Sequence, residues 1–486
     1  MTTRTDLHPT VAEPWPADVP RAGRRPATGP LPAGAPPGGP PPTGGGRDAA
    51  FRPVQVLQAE LDGPLPELQG GAGHLGAAYG AARLLVRLHG EPLGTLDVPL
   101  GEAPVPAAHV AEAVARRFAG AIADHLAADG LGPATVDAAT LQRGLGERRS
   151  PGWRPPCHHR LALGDPVPPA TVVVATCRRA GQLPRTLDSI LASDHPDFEV
   201  VVVDNGPDDP ATRAAVLGRY GGDPRVRYLQ EPVAGLSRAR NLGYQFSRGE
   251  IVAFTDDDVV VDPQWLRALG AALAAHPRAA CATGLVTAAE LETPAQVLFE
   301  DYGGLAKGFS PQVFSLAPDG RGRRRFPESP GRFGTGGNLA VRKSSLPDLW
   351  GFDVHLGAGS RGAGGEDLDA FVDLLYAGHE IVYEPRAVVW HTHHRDSAVL
   401  ADKLRQYGTG LGAFLAKQLL AGGGRRADLL RAVPDGLRFA VRRGSRHDPR
   451  ARAGYPADLV RRELSGIARG PLAYVSCRLH DAWETA

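Results

Sequence analysis

From residue 51 onward the chain moves between two hydrophobic periods. Pro53 to Leu61 alternates apolar and polar positions, as a half-buried strand does. Arg83-Leu-Leu-Val-Arg-Leu-His-Gly-Glu-Pro-Leu-Gly-Thr-Leu-Asp-Val predicts two strands around a Gly90–Gly94 turn. Ala107 to Ala128 then repeats apolar residues at helical spacing through Val110, Val114, Phe118, Ile122 and Leu126. Together these predict a small α+β module over residues 51–148. His89 and Arg87 on its hairpin read as solvated face residues, and the module offers no constellation of titratable groups.

A proline-rich connector follows over 149–169, with Pro151, Pro155, Pro156, Pro166, Pro168 and Pro169. Its Cys157-His158-His159 has the residue types for a metal. Adjacent ligands on a short linker rarely converge on one ion, so the trio reads as loop. From 170 the pattern becomes strand, helix, strand, helix. Thr171-Val-Val-Val-Ala and Phe198-Glu-Val-Val-Val-Val are continuous apolar runs, which mark strands buried on both faces. Gln182–Ala192, Asp209–Tyr220 and Ser237–Ser247 are helical, and Arg225–Leu229 and Ile251-Val-Ala-Phe-Thr are further strands. This alternation predicts an α/β fold with a mostly parallel sheet over 170–400, and ligands bind such sheets beyond the carboxyl ends of the strands. Past 400, Leu404 to Leu420 is amphipathic but interrupted by Gly408, Gly410 and Gly412, and it opens a helical C-terminal extension over 401–486.

Composition changes this picture at the two ends. The 486 residues leave room for two or three domains at ~150 residues each. Residues 1–50 hold 12 Pro and 8 Gly, too little apolar surface to offset the entropy of ordering, and read as a disordered tail. A net charge of +1 gives no support to nucleic-acid binding. The four cysteines are widely spaced, which argues against a disulfide framework. With no signal peptide and no apolar run of membrane-spanning length, the reading is cytoplasmic. Residues 421–486 carry 13 Arg against 7 acids, a net of +6. That tail suits peripheral contact with an anionic membrane at its inner face, or equally a solvated or packing face.

The chemistry-bearing residues sit where the strands end. Strand one ends in Thr176-Cys177-Arg178, strand two in Asp204-Asn205, and strand four in Asp256-Asp257-Asp258. Three consecutive carboxylates repel one another unless a cation is present, and oxygen ligands suit Mn²⁺ or Mg²⁺. The other reading is an acidic turn capping the helix that begins near Pro263. Farther on, Glu366-Asp367-Leu-Asp369 opens a helix after a glycine-rich loop. First-turn acids complement a helix dipole, and a carboxylate beside an alcohol also suits general-base work. That loop spells Gly357-x-Gly359-x-x-Gly362, but no buried strand precedes it, so it is not read as a dinucleotide fingerprint.

In this order the pieces resemble the family-2 glycosyltransferases, which have the A-type nucleotide-sugar transferase (GT-A) fold. The resemblance covers about 170–400. It rests on Val172-Val-Val-Ala-Thr-Cys-Arg, Val200-Val-Val-Val-Asp-Asn-Gly, Gly235-Leu-Ser-Arg-Ala-Arg-Asn-Leu-Gly, Phe254-Thr-Asp-Asp-Asp, Gly336-Gly-Asn, Gly365-Glu-Asp-Leu-Asp and Val389-Trp-His. It implies that Thr176, Arg178 and Asp204 hold the nucleoside, with a loop cap as the other reading of Asp204. Arg240 would lie near the diphosphate, where a guanidinium fork suits phosphate oxygens. Asp256 and Asp258 match the family's metal-binding Asp-x-Asp, with Asp257 turned toward the ribose. His391 matches a further metal ligand, with His393 the runner-up. Asp367 is the expected general base and Glu366 the second choice, otherwise positioning the acceptor, while Gly336, Gly337 and Asn338 form the acceptor wall.

The resulting expectation is an inverting transferase that moves one sugar from a nucleotide-diphosphate sugar to a hydroxyl of a saccharide, lipid-linked or other acceptor. A divalent cation would be its cofactor. Two other classes compete: a catalytically silent sugar-nucleotide-binding or scaffold protein, and a nucleotidyltransferase. A silent copy needs neither acidic cluster. A nucleotidyltransferase would carry a glycine-rich basic loop where Ala175-Thr176-Cys177-Arg178 stands.

Overall fold

The computed structural model describes residues 51–131, 136–145, 155–164, 166–206, 208–301, 303–316, 330–347, 350–422, 424–432 and 456–484. The expected tail over 1–50 lies outside them, as does part of the basic extension.

The N-terminal module is a three-stranded sheet of β1 (Val54–Glu60), β2 (Ala81–Leu88) and β3 (Glu91–Pro99), backed by helices α1 (Ala107–Ala128) and α2 (Ala138–Arg143). Here the structure corrects the hairpin reading. The turn is only His89-Gly90, with φ of 55° and 79°, and Gly94 lies within β3 beside a register shift. Positive φ at both central residues is the twist-matched type I′ geometry, for which Asn-Gly is the usual choice. A second departure is that β1 pairs with β2 in parallel, so β2 lies in the middle.

Nor do His89 and Arg87 form a solvated face: both are buried. Arg87 reaches across to Asp262 of the central domain, 2.5 Å away, with both side chains under a tenth exposed. The module also donates Val54 N–H to Leu291 O and the Tyr79 hydroxyl to Glu292 at 2.6 Å. Leu85 packs with Val260, Leu285, Val388 and Trp390 of the central domain. An unpaired Arg87 or Asp262 there would leave a buried charge, so the two units are fixed in register.

The central sheet runs in the order β10-β12-β9-β11-β7-β4-β5-β6, with β8 on β12. Its parallel half is β4 (Ala170–Thr176), β5 (Phe198–Asp204), β6 (Val226–Gln230) and β7 (Ile251–Thr255). Helices α3 (Leu183–Leu191), α4 (Pro210–Tyr220) and α5 (Leu236–Gln245) connect these strands. The uniform Val runs are buried on both faces, as parallel strands under helices must be.

The other half is β8 (Val259–Val261), β9 (Ala279–Ala288), β10 (Gln312–Phe314), β11 (Asn338–Arg342) and β12 (Glu380–His391). β11 is antiparallel to both β7 and β9, while β9 and β12 run parallel. The sheet is therefore mixed. The helices of this half are α6 (Trp265–Ala275), α7 (Pro294–Asp301) and α8 (Glu366–Tyr376).

In the extension, α9 (Ser397–Ala421) pairs with α10 (Ala457–Glu484). The glycines that break the amphipathic pattern are the contact itself. A Cβ on Gly408 would come 2.1 Å from Glu463 O, one on Gly412 2.2 Å from Ile467 O, and one on Gly466 2.2 Å from Arg405 O. Backbone meets backbone there, and only hydrogen fits. Lys417 of α9 reaches Asp369 (2.5 Å) and Asp353 (2.9 Å), and Gln418 also donates to Asp369, which fastens α9 to α8.

Candidate active site

The turn between β7 and β8 holds Asp256, Asp257 and Asp258. The sheet places it beside the ends of β4 and β12, and the three carboxylates face different partners. Asp257 is buried, accepting from Thr176 Oγ1 (2.6 Å) and Arg179 (3.0 Å). Burial pushes its carboxyl up to about 6, with Asp258 adding to the rise and Arg179 opposing it. Asp258 accepts from the same Arg179 at 2.6 Å and lies 3.2 Å from His391 Nε2. Burial alone would raise the Asp258 carboxyl, but His391 and Arg179 outweigh it and hold it below the usual range. Reciprocally, burial would lower His391, and the Asp258 carboxylate lifts it instead.

Asp256, Asp258 and His391 offer ligand atoms that all lie within 4.8 Å of one another. Asp258 Oδ1, the oxygen 3.2 Å from His391 Nε2, is buried and lacks a well-aligned donor. Two carboxylates and an imidazole around such an oxygen fit a hard divalent cation. His393, the runner-up, stands behind: its Nε2 meets Glu300 at 2.7 Å and its Nδ1 faces His391 Nδ1 at 3.1 Å. It braces His391 rather than joining the trio.

Arg240 departs from expectation. It is buried, joining Glu366 Oε1 (2.8 Å) to Asp256 Oδ1 (3.0 Å) beneath the Phe352 ring. With both ends committed and its side chain only 3% exposed, it has no guanidinium face open to a diphosphate. Burial and the adjacent Asp367 push the Glu366 carboxyl up to about 7, with Arg240 opposing. Asp367 accepts from Gly336 N–H at 2.8 Å and Leu368 N–H at 2.8 Å. Gly336 and Gly337 press onto the same group: a Cβ on Gly336 would sit 2.6 Å from Arg240 Nη1, and one on Gly337 2.3 Å from Asp256 Oδ2.

Three other expected contacts are corrected. Asp204 is fully buried, its oxygens accepting from Tyr228 Oη (2.7 Å) and Gly206 N–H (3.0 Å), so it ties its loop and does not face the cleft. Arg178, at φ 54°, points outward to Asp208 at 2.6 Å with 60% of its side chain exposed. Asn338 is core: Trp265 donates to its Oδ1, and its amide donates to Leu285 O and Ala387 O, so it forms no acceptor wall.

The cleft itself, about 230 Å³, is lined by Thr176, Arg179, Asn205, all three aspartates, His391, His394, Lys403 and Tyr407, among others. Arg179, His394, Lys403 and Tyr407 were not anticipated. Arg179 follows directly on the residue that the resemblance marks, one position past the outward-turned Arg178. Lys403 and Tyr407 come from α9, outside the motifs.

Residues 171–350 match the model described as glycosyl transferase family 2. Pre-mycofactocin glycosyltransferase of Mycobacterium tuberculosis is 28% identical over 305 residues, 58% of this chain and 60% of that protein, so this chain spans under two thirds of its length. Succinoglycan biosynthesis protein ExoM of Rhizobium meliloti is 29% identical over 273 residues, 55% of this chain and 77% of that one. Among solved structures, the mannosyltransferase PcManGT from Pyrobaculum calidifontis, in complex with GDP-Man and Mn²⁺, aligns at 19% identity and a TM-score of 0.40. That alignment covers 66% of this chain and 88% of that one. Among the described residues no helix is long and apolar enough to cross a membrane.

Proposed function

We propose that the chain is an inverting, divalent-cation-dependent glycosyltransferase that moves one sugar from a nucleotide-diphosphate donor to a hydroxyl acceptor. The observation that carries this reading is one connected group. The trio of Asp256, Asp258 and His391 is joined through Asp256 and Arg240 to the Glu366-Asp367 pair at the start of α8. Asp256, Asp258 and His391 would hold the cation, which when bound supplies charge neutralisation for a departing nucleotide diphosphate. Arg179 and Lys403 add positive charge along the cleft, and Thr176 and Asn205 line the end where the nucleoside would lie.

Asp367 is the proposed general base, taking the acceptor hydroxyl's proton as that oxygen attacks the anomeric carbon. Gly336 N–H and Leu368 N–H fix its carboxylate in place. Glu366, clasped by Arg240, positions the pair. A single base and a single displacement give inversion. The basic extension is a proposed peripheral contact with an anionic membrane surface, which would suit a lipid-linked acceptor.

The test is Asp367→Asn. It should bind a nucleotide-sugar donor as wild type does and lose transfer by at least ~100-fold, the usual contribution of a general base. Transfer at wild-type rate would move the base elsewhere.

A further inference from the structure

The N-terminal module contains a second cluster that the transferase reading leaves unused. His89 lies in the hairpin turn, His125 in the last turn of α1, Asp129 at that helix's end, and Cys157 in the connector. All four are buried, and one ligand atom from each lies within 4.8 Å of every other. His89 Nδ1 is 3.0 Å from His125 Nε2, 3.0 Å from Asp129 Oδ2 and 3.3 Å from Cys157 Sγ. His125 Nε2 is 3.4 Å from Asp129 Oδ2.

The four groups come from three separate elements and converge on one buried point, and a single cation at the centre is within reach of all four.

The donor set is two imidazoles, a thiolate and a carboxylate, which selects zinc over magnesium, calcium or manganese. The spacings are those of atoms gathered around one ion with ~2.0–2.3 Å bonds. The outer nitrogens are also placed as a metal-bound histidine requires. His89 Nε2 lies 3.3 Å from Asp62 and His125 Nδ1 3.8 Å from Glu91, so a carboxylate faces the far side of each ring. The turn geometry agrees. His89 occupies the left-handed region at φ 55°, where Asn or Gly costs less, and that backbone aims its ring into the cluster.

We propose that His89, His125, Asp129 and Cys157 form a closed, four-ligand structural zinc site, independent of the catalytic cation and of the transferase reading. Burial of all four leaves no open position for substrate, so its role is to hold parts together. It pins the hairpin turn, the end of α1 and the connector to one point. The same hairpin carries Arg87, bound to Asp262, and the connector leads into β4, which ends at Thr176. The ion would thereby fix the module and the first catalytic strand in common register.

The test is metal analysis of the full chain, purified without chelator and desalted. Wild type should retain one zinc per chain. Cys157→Ser and His125→Ala should each lose it, while Asp258→Ala, which disrupts only the catalytic trio, should keep it. Should the ligand variants fail to fold, wild type grown with cobalt decides. It should show a thiolate-to-cobalt charge-transfer band, which the catalytic trio, having no thiol, cannot produce. Zinc-free wild type without such a band would overturn the site, as would a Cys157→Ser protein holding its full zinc.

Discussion

Arg240→Met tests the clasp between the two halves of the proposed site. The change keeps most of the stem volume and removes the guanidinium, leaving Glu366 buried beside Asp367 with no cation in contact. Removing one partner of a buried pair costs ~3–5 kcal/mol. Two features place this case at the low end. Asp256 keeps a third of its side chain in solvent, and Arg240 Nε is already buried without a partner. The expected loss is therefore ~3 kcal/mol, and at ~2 °C per kcal/mol for a chain of this size it lowers Tm by ~6 °C. Adding Glu366→Gln replaces the stranded carboxyl with a neutral amide. The double variant should recover part of the loss, with a coupling energy of ~1–3 kcal/mol between the two sites. Thermal unfolding of wild type, both single variants and the double variant gives the cycle. A Tm for Arg240→Met within ~1 °C of wild type, or strictly additive losses, would refute the view of Arg240 as an internal clasp.

Gly337→Ala should fold normally, because its Cβ meets only the far end of Asp256. Displacing that carboxylate should raise the manganese concentration needed for half-maximal activity, measured by metal titration. Gly466→Ala should lower stability by ~1–3 kcal/mol despite alanine's better helix propensity, since its Cβ meets the backbone of α9. The paired control Gly218→Ala, which meets nothing within 4 Å on the exposed side of α4, should raise stability by up to ~1 kcal/mol. His195 is buried, and burial, then Arg267, lower its imidazole to about 4. The unfolded chain therefore takes up this proton first as pH falls through ~6.5, and stability is lost between there and about 4. Discounted for partial hydration, the loss is ~1–2 kcal/mol, and Tm measured against pH should fall less steeply for His195→Asn.

The parallel half of the sheet was legible because its strands are continuous valine runs. The acidic turn after Thr255 and the acids opening α8 were legible because strand and helix ends expose them. Asp204 and Asn338 were misread for one reason: a polar residue at a strand end serves a loop or core as readily as a ligand. Only the partners Tyr228 and Trp265, 24 and 73 residues away, decide between the two. Lys403 and Tyr407 enter the cleft from a helix held by close glycine contacts, and those glycines read as interruptions until a second helix lies against them. The His89 cluster was hidden most deeply. Its ligands stand 36, 40 and 68 residues from His89. They converge only because a two-residue turn, a helix end and a connector dock at one place.

The central claim is that Asp256, Asp258 and His391 hold a divalent cation for sugar transfer from a nucleotide-diphosphate donor. Its most direct measurement is hydrolysis of a panel of nucleotide-diphosphate sugars, with and without manganese, by wild type and Asp258→Ala. The account predicts that wild type consumes at least one donor only when metal is present, and that Asp258→Ala loses that activity while remaining folded at the assay temperature. Metal-independent turnover at equal rates in both proteins would contradict it.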